Sequence, residues 1–149
     1  MKHSNDIMLF IMLLLSVSIL NGCDEISHGQ QRRKFEFLYK TNNFAAVFRE
    51  YTNDIVKFSD LQLYETRMNK LYEDVNKFET VKGWTKSDAI KEDFLNSIDK
   101  SLNAVRSMKM KQSLYREFIK DEHEVILMRE TAEDFLENVE NEITVVGRE

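Results

Sequence analysis

The sequence predicts an all-α domain, an antiparallel bundle of about four helices that follows a cleaved N-terminal signal peptide. Three observations predict it. The 149 residues include no Pro and only four Gly, which removes most of the punctuation that hairpins, sandwiches and barrels require. Apolar residues recur at alternating steps of three and four along most of the chain, the period of a helix face. A single Cys excludes an intrachain disulfide framework and any site built on clustered cysteines.

The first element is an address. Met1 to Asp6 is polar and carries one Lys, and Ile7 to Leu20 is apolar apart from Ser16 and Ser18. As a helix this run spans about 21 Å, short of the ~30 Å hydrocarbon core, so it reads as the apolar region of a signal peptide and not as a membrane span. Directly behind it, Leu20-Asn21-Gly22-Cys23 places the only Cys after a Gly, with an aliphatic residue three positions earlier. This pattern resembles the lipobox of bacterial lipoproteins, with Asn21 in place of the Ala or Ser of enterobacterial lipoboxes, closer to the looser pattern of spirochaetes. The resemblance implies that Leu20, Asn21 and Gly22 direct signal-peptidase cleavage. It also implies that the Cys23 thiol carries diacylglycerol and that the new amino terminus is acylated. Two or three acyl chains hold a protein on a membrane effectively for good. Beyond this covalent lipid no cofactor is expected.

The expected organisation is a signal peptide over 1–22, a lipidated Cys with a flexible tether over 23–33, and the bundle over 34–149. The tether assignment rests on Asp24 to Arg33, which is polar, contains Gly29 and His28, and lacks apolar periodicity.

Within the bundle, Phe37, Phe44, Phe48, Tyr51, Ile55 and Phe58, with Thr41 in one gap, form the first stripe. Phe35, Leu38 and Tyr39 fall off it and either widen the core face or form a self-association patch. Ser59 followed by Gln62 has capping-box spacing and starts a second helix near Asp60. That helix carries Leu61, Tyr64, Met68, Leu71, Val75 and Phe78, and should end near Gly83. Thr85 or Ser87 caps a third helix whose face is Ile90, Phe94, Leu95, Ile98, Leu102 and Val105, with a break expected at 107–111. The fourth stripe runs Leu114, Phe118, Val125, Met128, Ala132, Phe135, Leu136, Val139 and Ile143. Short joints between four such helices give an antiparallel bundle.

Catalytic and metal motifs are missing from the sequence. His123 stands among Asp121, Glu122 and Glu124, but no second His follows at i+4, so a solvated helix face is the better reading. Phosphate-cradling glycine loops and nucleophile elbows do not occur. The acids fall mainly between the apolar stripes, where water and not a pocket surrounds them. A non-enzymatic role follows.

Charge is uneven. Residues 100–116 hold five bases (Lys100, Arg106, Lys109, Lys111, Arg116) and no acid, whereas 117–149 holds eleven acids and three bases. Either the basic joint packs beside the acidic last helix, or Lys109 and Lys111 dock an acidic partner, such as an acidic protein surface, a glycosaminoglycan or nucleic-acid phosphate. Cleavage after residue 22 removes one Lys and one Asp together and leaves the net charge at −5, which speaks against nucleic acid. Trp84, beside Gly83, either plugs the end of the bundle or serves as a partner anchor.

In its Lys, Asn, Glu, Ile and Phe-heavy composition, its lipobox and its small helical body, the chain resembles plasmid-encoded surface lipoproteins of Borrelia spirochaetes. The resemblance implies a helical domain displayed on the outer membrane that binds a host or vector macromolecule. The alternative is a periplasm-facing structural or assembly lipoprotein that binds an envelope partner through a bundle face, as a monomer or as a homo-oligomer.

Overall fold

The computed structural model describes the backbone of residues 2–149 and the side chains of residues 27–149. The chain divides into two compact units, Met1–Arg33 and Lys34–Glu149. Four α-helices account for nearly all of it: α1 (Lys2–Asn53), α2 (Asp60–Lys77), α3 (Thr85–Met110) and α4 (His123–Val146), with one 3₁₀ turn at Gln112–Leu114. The all-α bundle expected from the apolar stripes is what the chain forms.

The lipobox residues Leu20, Asn21, Gly22 and Cys23 lie outside the residues whose side chains are described. The backbone of 24–33, expected as a flexible tether, is helical and part of α1. Its Gln and Arg residues favour helix, no Pro interrupts it, and Gly29 costs only about 1 kcal/mol in a helix interior.

In the unit Lys34–Glu149, successive helices run antiparallel. Lys34 pairs with Glu149 at 2.8 Å and Arg49 with Glu133 at 3.4 Å, so α1 and α4 also run in opposite directions. The core is aromatic. At its centre the rings of Phe94 and Phe135 stack with centroids 4.3 Å apart, and Phe48 lies 6.0 Å from Phe94. Toward the Lys34 end, Phe37 stacks on Phe78 at 4.8 Å and meets Trp84 edge-on at 6.0 Å. Of the residues off the first stripe, Leu38 is fully buried, Phe35 half-buried and Tyr39 exposed. They divide between core and surface.

Helix ends depart from the sequence reading in instructive ways. α2 starts at Asp60 as expected, but Ser59 makes no capping bond. Asp60 instead turns back, its Oδ2 accepting the amide N–H of Val56 at 3.0 Å and of Lys57 at 2.7 Å. α2 stops at Lys77, before Gly83, because Phe78 is extended and Lys91 of α3 donates from Nζ to the carbonyls of Asn76 and Phe78, both at 2.7 Å. A cation on the free carbonyls of a helix end opposes the helix dipole. Gly83, with φ of 84°, makes the turn into α3. Ser87 ties that turn together from inside α3: Oγ accepts the Val81 N–H at 2.9 Å and donates to the Trp84 carbonyl at 2.8 Å.

The fourth stripe needs the largest correction. α4 begins only at His123, so Leu114 lies in the 3₁₀ turn and Phe118 in an extended segment, and both are exposed. The core residue there is Ile119, fully buried. Two strand-like bonds fix this register: the Phe58 N–H donates to the Glu117 carbonyl at 2.8 Å, and the Ile119 N–H to the Val56 carbonyl at 2.9 Å. With Ile119 turned inward, extended backbone turns Phe118 and Lys120 outward.

Candidate interface at the tip of the bundle

The end of the unit opposite Lys34 is built from two connections, 54–59 between α1 and α2 and 111–122 between α3 and α4. Arg129 of α4 joins them, donating from Nη2 to the Ile55 carbonyl at 2.7 Å and from Nη1 to the Lys120 carbonyl at 2.8 Å. Phe58 and Tyr115 stack beneath, with centroids 6.2 Å apart. The Tyr115 hydroxyl donates to Glu124 at 2.9 Å. Desolvation, with the neighbouring Glu124 charge, pushes the Tyr115 phenol up. Glu124 is held below the usual carboxylate range by its own backbone amide in the first turn of α4, then by Tyr115, with smaller help from His123 and Lys111.

Exposed apolar side chains concentrate here. Among the described residues, Tyr39 and Val145 lie toward the Lys34 end, while Val56, Leu63, Met110, Leu114, Phe118, Ile126 and Leu127 lie at the opposite one. Met110 is 87% exposed, Leu114 75% and Phe118 57%. Each such side chain forgoes roughly 1.5–3 kcal/mol of burial, and a cluster of them marks an interaction surface more often than isolated ones do. An open hollow of about 720 Å³ lies alongside, lined by Phe58, Lys109, Met110, Tyr115 and Arg116 among others.

Lys109 and Lys111 fare differently. Lys109 donates to Glu65 at 2.7 Å and to Gln62 at 2.6 Å, bracing α3 on α2. Arg106 shares Glu65 at 3.7 Å. Two of the five bases thus answer to α2, because the α3 face they occupy turns toward it and not toward acidic α4. Lys111 follows the last turn of α3, is exposed and makes no ion pair among the described residues. Trp84 sits far from both, half-buried against Phe37 with the Lys34 ammonium 5.6 Å from its ring. It packs as an end plug.

A second concavity, about 860 Å³, runs between α3 and α4. Asp93, Asn96, Lys100, Asp134, Asn138 and Glu142 line it above Phe135 and Val139. Among the described residues, no group of three or more His, Cys, Asp and Glu side chains is placed to hold a metal ion. His123 is exposed at the start of α4. Also among the described residues, no helix is long and apolar enough to cross a membrane. No family model matches the chain, and no curated protein or solved structure is significantly similar to it.

The apolar period assigns Leu114 and Phe118 to the core and gives no role to Met110 or Arg129. A signal was present. The fourth stripe takes a step of seven from Phe118 to Val125, and Asp121 and Glu122 occupy the positions where a continuing stripe needs apolar side chains.

Proposed function

We propose that this protein is a lipid-anchored, non-enzymatic binding module, displayed on the outer surface of a bacterial outer membrane and directed at a macromolecule of a host or vector. The observation that carries the reading is the placement of Met110, Leu114 and Phe118, unburied at the end of the bundle opposite the one the chain enters at Lys34. The Leu20 to Cys23 pattern supports the anchor, and the apolar run before it supports export.

Brief proteinase treatment of intact cells, with a periplasmic marker as control, tests the display. Loss of the protein with the marker intact is the expected result. Survival of both turns the reading to a periplasmic module with an envelope partner. Metabolic labelling with palmitate tests the anchor: wild type should incorporate label and Cys23→Ser should not.

A further inference from the structure

We propose that the tip of the bundle receives an acidic, amphipathic protein segment, which seats its apolar side chains on Met110, Leu114 and Phe118 and its carboxylates on Lys111, Arg116 and Lys120. The inference rests on the reading of the protein as a binding module and names the chemistry of its partner.

The apolar half of the argument is one of placement. Leu114 and Phe118 have the helical spacing of core residues, yet the pairing of 56–58 with 117–119 turns Ile119 inward and leaves them in water. Met110, the last residue of α3, stands beside them in sequence and is the most exposed apolar side chain described. Its unbranched thioether adapts to whatever packs on it. Aromatic, Met and Arg side chains are the types enriched where protein surfaces meet.

The polar half is one of unbalanced partners. Among the described residues, no carboxylate lies within ion-pair distance of Lys111, Arg116 or Lys120, and Glu124 acts on Lys111 only from farther off. Three of the carboxylates around them are engaged within the fold. Glu117 pairs with Lys57 at 3.4 Å, Glu124 accepts the Tyr115 hydroxyl, and Asp60 accepts two backbone amides. Asp121 and Glu122 stand at the positive, N-terminal end of α4, where the helix dipole favours them. Within 110–120, the charged side chains that the fold leaves without an ion pair are therefore all cationic, and they flank the exposed apolar ones. A second copy would oppose these cations to themselves, whereas a helical segment with Leu or Phe at i, i+3 or i+4 and i+7, flanked by Glu or Asp, would meet both features.

A displayed library of random 18-residue peptides, selected against the full chain held in neutral phosphatidylcholine nanodiscs, tests this without presupposing a sequence. The expected outcome is enrichment of acidic peptides with apolar residues at helical spacing. Their binding, followed by fluorescence anisotropy, should weaken at least tenfold in the variant Lys111→Glu/Arg116→Glu and in Leu114→Ser/Phe118→Ser, while Lys100→Glu leaves it unchanged. Circular dichroism melts establish that each variant folds. The proposal is overturned by a selection without acidic enrichment or by binders indifferent to both tip variants. Tip-dependent binding of heparin or of phosphatidylglycerol vesicles in place of peptide would overturn it as well, as would tip-dependent self-association in sedimentation. None of these readouts depends on which side of the outer membrane the domain occupies, and the palmitate labelling tests the anchor by itself, so the binding-module reading and the partner chemistry fail separately.

Discussion

Arg129 holds Ile55: its guanidinium reaches from the second turn of α4 to the Ile55 carbonyl at 2.7 Å, and with its other terminal nitrogen to the Lys120 carbonyl at 2.8 Å. No carboxylate competes for it, so both connections at the tip share one cationic brace. Hydrogen bonds from charged donors contribute about 1.5–3 kcal/mol. Arg129→Met should therefore lower stability by about 1–3 kcal/mol. Amide exchange at Phe58 and Ile119 should quicken more than in the centre of α3. Unchanged exchange at Ile119 would show that the brace is dispensable.

Tyr64 sets an alkaline limit. It is buried between Thr52, 3.2 Å from its hydroxyl, and Ser101, and burial pushes its pKa up to about 12 from the ordinary 10.0. Because the folded value exceeds the unfolded one, the contribution is complete below pH 10 and is lost as pH rises from 10 toward 12. Two units correspond to roughly 2–3 kcal/mol. Urea midpoints measured at pH 9 and pH 11.5 should fall further for wild type than for Tyr64→Phe, and equal falls would remove Tyr64 from the account.

Phe135 and Phe118 offer a paired test of what is core and what is display. Phe135 stacks on Phe94 at the centre of the bundle, whereas Phe118 stands more than half exposed under the Lys57 ammonium. Phe135→Ala should cost about 3–5 kcal/mol, and Phe118→Ala within about 0.5 kcal/mol of nothing. Urea unfolding of both variants decides it. A large loss on Phe118→Ala would mean that the side chain is folded away.

Lys91 closes α2 from the neighbouring helix. Lys91→Met retains the apolar stem but removes both bonds to the carbonyls of Asn76 and Phe78. The expected loss is about 1–2 kcal/mol, with fraying confined to the last turn of α2 in amide exchange. A variant as stable as wild type would mean that water caps these carbonyls equally well.

The positions of these four residues show which parts of the architecture were legible beforehand. Period alone placed Tyr64 and Phe135 in the core, since a stripe of threes and fours leaves a helix few ways to pack. Lys91 and Arg129 were not legible. Each acts on backbone carbonyls distant in sequence, and nothing in the neighbouring residues of a Lys or Arg marks it for that. Ser59 shows the reverse failure, a capping-box spacing without a capping bond: the carboxylate at this turn, Asp60, accepts the amides of Val56 and Lys57 ahead of the helix and not those of its first turn. Lys109 belongs to the basic joint that the sequence offers to a partner, and the fold brings Glu65 and Gln62 to it instead. Lys111, Met110 and Arg116 remain available at the tip because the chain turns away from α3 there and brings no carboxylate within ion-pair distance of the two cations, Glu124 acting on Lys111 only from farther off.

The ties that shape the tip end on main-chain atoms: the two bonds between 56–58 and 117–119, the Asp60 bonds to two amides, and both contacts of Arg129. Main-chain atoms are the same whatever side chain is attached. The outward-facing residues of 110–120 can therefore be exchanged one after another while the loop they decorate keeps its course, much as type can be reset within a fixed frame. A surface made in this way could acquire a new target, or lose one, by substitutions that leave the fold and its melting temperature nearly untouched.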